Sequence, residues 1–350
     1  MNLIVFQTRM MRRLSTPRQK CRQIKNYKFL LLASACCCIV VVLLGSSAIA
    51  AGPPRTVSWI QLSSATSPPP RSYLAMTYDV ASGKVIMFGG FDGTTYLNDT
   101  WTFDGDTWTK VSANHAPPAR ANAGMAYDVI TQKVVLFGGY DGRSYLGDTW
   151  IWDGSTFRWT KVRPRLSPTA VTGPMVFTSP SGSVDLLGGF DGRFYRASMW
   201  QWTGADWTQL FPAMVPYARS SAAVALDPIT PQVVLFGGLA DINPVNTWTY
   251  DGTTWTMQSP RTQPLWVYAA SAVFDPNLNT VVLFGGGSGG VDQNTTWEWS
   301  PSNWKQLSPS QSPPAREGAG MAYYPVLGHA IIFGGQNGDV VLNDTWELIP

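Results

Sequence analysis

Side chains able to do chemistry are few in this 350-residue chain, which holds only two histidines and four cysteines. His115 lies in a Pro-rich stretch (SANHAPPAR) and His329 heads an apolar run; neither has a second His or a carboxylate cluster at metal-ligand spacing. Both read as solvated positions, and no metal is expected. Spacing alone leaves a Ser-His-Asp relay open, but no GxSxG elbow supports one. Gly285, Gly287 and Gly290 fit GxGxxG, yet a strand pattern follows where a phosphate site needs a helix N-terminus. The pairs Asp92-Gly93, Asp141-Gly142 and Asp191-Gly192 lack the further carboxylates of a calcium loop, so they read as turns. Cys21, Cys36, Cys37 and Cys38 all precede residue 51. The remainder therefore has no disulfide, no thiolate metal site and no cysteine nucleophile, and no cofactor is expected.

The elements that carry these residues follow from composition. Hydrophobic residues make up 45% of the chain and charged ones 13%, which excludes a disordered polyelectrolyte. Sixteen Trp, 33 Gly and 26 Pro point to many short strands joined by tight turns. Eight of the 25 basic residues and none of the acids fall in residues 1–50, which leaves 17 basic against 22 acidic groups beyond. A mildly acidic body without a basic stripe argues against nucleic acid as a partner. Residues 1–28 form a basic n-region, and Phe29–Leu44 is an uncharged apolar run continued by small residues to residue 51. With Ala48-Ile49-Ala50 behind it, 29–51 reads either as a signal peptide h-region or as a transmembrane anchor. Both readings put the basic segment in the cytoplasm and the rest outside, secreted or tethered to the membrane.

Six internal copies organise that exported part. A Gly-Gly pair closes an apolar run at Gly89, Gly138, Gly188, Gly237, Gly285 and Gly334, in steps of 48 to 50 residues. Trp101, Trp150, Trp200, Trp248, Trp297 and Trp346 follow these glycines by eleven or twelve residues, and Trp108, Trp159, Trp207, Trp255 and Trp304 come seven to nine later. Each copy reads as four short strands, in the first at 72–78, 84–88, 98–103 and 107–111. The run before Gly-Gly is continuous rather than alternating, which predicts a strand buried on both faces. Four-stranded units of about 50 residues with double glycines and spaced tryptophans resemble the kelch repeat, over residues 56–350. The resemblance implies an all-β, six-bladed β-propeller with four strands per blade, forming one domain. The sixth copy ends after its third strand, and Trp59 precedes Arg71 by the same twelve residues that separate Trp108 from Arg120. Ser58–Leu62 is therefore expected to close the last blade, which would remove the open sheet edges.

Comparing the copies isolates the exceptions. Arg71, Arg120, Arg219 and Arg316 open blades 1, 2, 4 and 6, where blades 3 and 5 have Val171 and Val267. Asp99, Asp148 and Asp344 precede the third-strand Thr-Trp in blades 1, 2 and 6; Asn246, Ser198 and Thr295 stand there in blades 4, 3 and 5. This pattern predicts an in-blade, structural Arg–carboxylate pair, with four arginines around a ligand channel as the alternative. In blade 3, Asp185 and Arg196 both replace apolar residues of other copies. They are expected to compensate each other in a salt bridge; the other reading is a site acid whose pKa is raised by burial.

Resemblance sharpens the functional reading. Copper-radical galactose oxidases are kelch propellers that need a Cys crosslinked to Tyr and two His, and plant kelch specifier proteins need an iron site of Glu, Asp and His. Residues 51–350 carry neither set. Exported sialic-acid epimerases are similar six-bladed rings with acid/base residues near the channel, and Glu317, beside Arg316, is the matching catalytic candidate. In kelch domains that bind peptides, the ligand covers one channel mouth. Contacts come from the residue after the strand-one Arg (here Ser72, Ala121, Thr172, Ser220, Tyr268 and Glu317) and from the loop after Gly-Gly. That loop supplies Phe91, Tyr140, Phe190, Leu239, Gly287 and Gln336, joined by Tyr96, Arg143, Tyr145, Arg193 and Tyr195. Blades 1–3 would thus present aromatics and arginine, which suit a protein or glycan ligand, unless the aromatics only pack between loops. The expectation is an exported or membrane-tethered, monomeric binding protein rather than an enzyme. A metal-independent carbohydrate-active enzyme and a passive surface scaffold are the alternatives.

Overall fold

Short β-rich runs punctuated by Gly and Asp become strands, and each set of four becomes one sheet. The computed structural model describes residues 56–350 apart from 113, 114, 243 and 245. The basic n-region, the 29–51 segment and the four cysteines lie outside the described residues. Among those described, no helix is long and apolar enough to cross a membrane.

Six four-stranded antiparallel sheets make six blades. In blade 1 the strands are Ala75–Asp79, Lys84–Phe88, Thr100–Phe103 and Trp108–Val111. The first begins three residues later than its sequence suggests, because Tyr73 adopts a φ of 53° and breaks the extended run. Ser72 makes an isolated bridge to Phe91 instead. The second strand buries Val85, Ile86, Met87 and Phe88 in succession, as an unbroken apolar run requires when both sheet faces are covered.

First strands of successive blades neighbour one another in an unbroken circuit. At their entrances Tyr73, Asn122, Gly173, Ser221, Ala269 and Gly318 all have φ between 50° and 64°. Each N–H donates to the carbonyl of its counterpart in the preceding blade at 2.6–2.9 Å, and Tyr73 donates to Gly318, so six hydrogen bonds close a ring. Four of the six residues carry a side chain, so the left-handed conformation costs energy that the closed ring offsets.

The circle is sealed by chain termini. Ser58–Leu62 pairs antiparallel with Thr345–Ile349, setting Trp59 opposite Leu348 and Gln61 opposite Trp346. The N-terminal strand thus completes the sixth blade. Six apolar clusters lie between adjacent blades, each filled by a fourth-strand tryptophan. The Nε1 groups of Trp108, Trp159, Trp207, Trp304 and Trp59 donate to Thr345, Thr100, Thr149, Thr247 and Thr296, at 2.8–3.0 Å. Every acceptor belongs to the third strand of the preceding blade. Blade 3 has Met199 in this position, and Trp255 meets its sulfur at 3.3 Å.

Candidate recognition face

Because the strands alternate in direction, the loops after Gly-Gly, the links between blades and the starts of the first strands share one end of the propeller. The double glycine permits this. Gly89 has a φ of 66° and its N–H meets the Asp99 carbonyl, while a Cβ on it would lie 2.6 Å from the Arg120 carbonyl oxygen. Only a residue without a side chain lets neighbouring blades approach so closely. Two residues on, Asp92, Asp141 and Asp191 accept backbone N–H groups of their own turns at 2.7–2.9 Å. Their carboxylates are occupied in shaping the loops. No group of three or more His, Cys, Asp or Glu among the described residues is placed to hold a metal.

These turns line up the aromatics. Phe91, Tyr96, Tyr140, Tyr145, Phe190 and Tyr195 form one continuous ladder, with successive ring centroids 5.0, 5.8, 5.0, 5.8 and 4.9 Å apart. Steps within a blade are tilted, whereas the two steps between blades are edge-to-face at 83°, the geometry that aromatic quadrupoles favour. The rings are half-buried, with Arg143 and Arg193 exposed on the same loops. Phe194, which sequence comparison did not single out, is half exposed, and the Arg193 guanidinium carbon lies 4.9 Å from its ring centre. Its signal was an aromatic residue where the other loops have Thr95 and Ser144.

The strand-one positions behave differently. Ser72, Ser220 and Glu317 are buried, beneath the bridges that pair them with Phe91, Leu239 and Gln336, while Tyr268 is half-buried. Ser72 Oγ donates to Gln336 Oε1 at 2.9 Å, and Gln336 Nε2 donates to Glu317 Oε1 at 3.0 Å. The Tyr73 hydroxyl donates to the same Glu317 oxygen at 2.5 Å. Glu317 Oε2 has no well-formed hydrogen bond among the described residues, although the Tyr268 hydroxyl lies near enough to favour its ionised form. Burial raises the Glu317 pKa, the Tyr73 hydrogen bond opposes that, and the nearby Asp292 charge reinforces it.

In blades 1, 2 and 6 the arginines are fully buried forks on carboxylates. Arg71, Arg120 and Arg316 Nη1 lie 2.6, 2.6 and 2.7 Å from Asp99, Asp148 and Asp344 Oδ1. Nη2 reaches the second oxygen at 3.0, 3.1 and 2.8 Å. Burial pushes the Asp148 pKa up, but the Arg120 hydrogen bonds and charge outweigh it and hold the group at about 2. Arg219 in blade 4 has Asn246 instead, at 3.0 Å. In blade 5, Val267 and Thr295 leave room, and they line a cavity of about 120 Å³ with Pro264, Leu265 and Trp297.

Two expectations are corrected. Asp185 and Arg196 do not pair: Arg196 binds Asp191, five residues earlier in its own loop, because a flexible loop guanidinium takes the nearest carboxylate. Asp185, the second residue of the strand Val184–Leu187, is buried, and Gln201 Nε2 donates to it at 3.2 Å and Ser183 Oγ at 3.4 Å. Its other oxygen has no partner among the described residues, and burial raises its pKa to about 7 against those two hydrogen bonds. His329 is also not simply solvated. It is half-buried, with Nδ1 3.0 Å from Glu347 Oε2. His115 is exposed.

Comparison with known proteins places residues 53–213, the closing strand and the first three blades, under the family described as the KLHDC2/KLHL20/DRC7 Kelch-repeats domain. No curated protein matches the chain.

Proposed function

We propose that this six-bladed propeller, whose residues 53–213 match a Kelch-repeats family model, is a non-catalytic recognition module taking a protein or glycan ligand on blades 1–3. One observation carries this reading: six aromatic rings run unbroken across three blades, flanked by the exposed Arg143 and Arg193. Aromatic edges and guanidinium groups contribute most of the binding energy in many interfaces, and ring faces stack on sugars. Phe194 extends this surface outward with Arg193 over its ring. Buried Ser72, Ser220 and Glu317 act from below, shaping the mouth rather than touching the ligand. On the strength of residues 1–51, we further propose that the propeller works outside the cytoplasm as a monomer, secreted or held by its N-terminal segment.

The experiment is a peptide and glycan array read with the full-length protein and with an Arg143→Ala, Arg193→Ala double variant. Specific binding that the double variant loses supports the proposal, and binding that survives it unchanged overturns the placement on this face. The enzyme reading rests on the buried, raised-pKa Glu317. It requires metal-independent turnover of a sugar that Glu317→Gln removes.

A further inference from the structure

In blades 1, 2 and 6 a carboxylate oxygen receives two buried donors. Oδ2 of Asp99, Asp148 and Asp344 accepts the Arg Nη2 and also the indole N–H of Trp101, Trp150 and Trp346, at 2.7, 2.7 and 2.6 Å. Blade 4 keeps the arginine and the tryptophan and loses the oxygen. Asn246 Oδ1 accepts from Arg219 Nη1, and its other terminus is an NH₂ group that can only donate. Arg219 Nη2 and Trp248 Nε1 consequently have no partner among the described residues.

Turning the amide over does not settle the charge. Its oxygen would then face Nη2 and the indole, but its NH₂ would face Nη1, again donor against donor. In either orientation Arg219 is 0% exposed with no carboxylate in ion-pair distance among the described residues, and a buried charge needs a counter-charge. Burial lowers the Arg219 pKa to about 10, opposed only by the nearby Tyr217 phenol and by no carboxylate.

We propose that blade 4 carries a site for a small monovalent anion, a halide or the carboxylate of a small acid, seated between Arg219 Nη2 and Trp248 Nε1. Set beside the Asn246 amide, the anion supplies the acceptor that the Asp oxygen provides in the other blades and neutralises the guanidinium. Asn246, half-buried, is the partly exposed member of this group, as are the corresponding Asp side chains at 14–17%. Tyr217, 56% exposed, stands edge-on to Trp248 at 6.3 Å. The site is independent of whatever the aromatic mouth binds.

The test is the thermal midpoint of the full-length protein at constant ionic strength, with sodium chloride or sodium formate replacing sodium gluconate. Wild type should gain a few degrees in a saturable manner. A gain with chloride assigns a spherical ion, and a gain with formate alone assigns a carboxylate. Asn246→Asp, which supplies its own oxygen, should start from a higher midpoint and show no such gain. An equal response in both proteins, or none in wild type, overturns the site. Should the variant not fold, bromide-soaked crystals of wild type decide: an anomalous peak between Arg219 and Trp248 supports the proposal, and its absence at saturating bromide overturns it.

Discussion

The indole N–H of Trp59, in the strand Ser58–Leu62, donates to Thr296 Oγ1 of blade 5 at 3.0 Å. Trp59 pairs by backbone with blade 6, so one residue fastens two blades at the seam. Trp59→Ala should lower stability by about 3–5 kcal/mol through loss of a wholly buried ring. Trp59→Phe should lose only the hydrogen bond and part of the packing, about 1–2 kcal/mol. Urea unfolding followed by fluorescence checks both, and equal losses for the two variants would contradict a ring that fills the seam.

Asp148 holds Arg120 in a buried fork. Asp148→Asn recreates the arrangement that blade 4 has at Asn246, and it should cost about 1–3 kcal/mol because buried donors lose their acceptor. The ion pair also predicts a pH effect. The folded pKa of about 2 lies below the ordinary 3.8, so the contribution is complete above pH 4 and is lost as the pH falls toward 2. With solvent screening of this partly exposed carboxylate, the loss amounts to roughly 1–2 kcal/mol. The difference in stability between wild type and Asp148→Asn should shrink over that window.

Asp185 has the opposite sign. Its folded pKa is about 7 against 3.8, so between those values the folded state holds a proton that the unfolded state has released. Stability should therefore fall as pH rises from 4 to 7, by roughly 4 kcal/mol at most from this residue. Asp185→Val, the residue type found in three other blades, should remove that slope and gain stability at pH 7.5. Denaturant midpoints at pH 4.5 and 7.5 measure it; parallel profiles for the two proteins would show that Asp185 does not titrate in this range.

On the recognition face, Tyr145→Ala should interrupt the ladder between blades 2 and 3. Ligand affinity is expected to fall about tenfold or more, as for an aromatic hot spot, with little change in the fold because the ring is only half-buried. Isothermal titration with a ligand from the array would measure the drop, and Tyr250→Phe, far from this face in the third strand of blade 4, serves as the neutral control.

The propeller was legible because six copies of one unit repeat their turn and core residues, and a missing strand at one terminus matched a spare one at the other. The Arg–Asp forks were legible for a similar reason: Val171 with Ser198, and Val267 with Thr295, lose both partners together. Asp185 and Arg196 mimicked that logic and failed, since one sits within a strand and the other in a loop with its own acid five residues away. Burial of Ser72, Ser220 and Glu317 was hidden because nothing in the sequence marks the isolated bridges that cover them. The aromatic ladder needed the rotation between blades, which no spacing within one repeat encodes. The Thr acceptors of the stapling tryptophans were in plain view beside each third-strand Trp, with Met199 as the exception.

The six left-handed residues from Tyr73 to Gly318, each bonded to the next around the axis, bear on kinetics as well as on architecture. No blade can pivot without breaking links to both of its neighbours, so the floor of the mouth is set before anything arrives. Association then incurs little ordering entropy in the scaffold. Under the proposed binding mode, discrimination among ligands falls to the exposed Arg143, Arg193 and Phe194, where substitution should retune selectivity without disturbing the platform beneath.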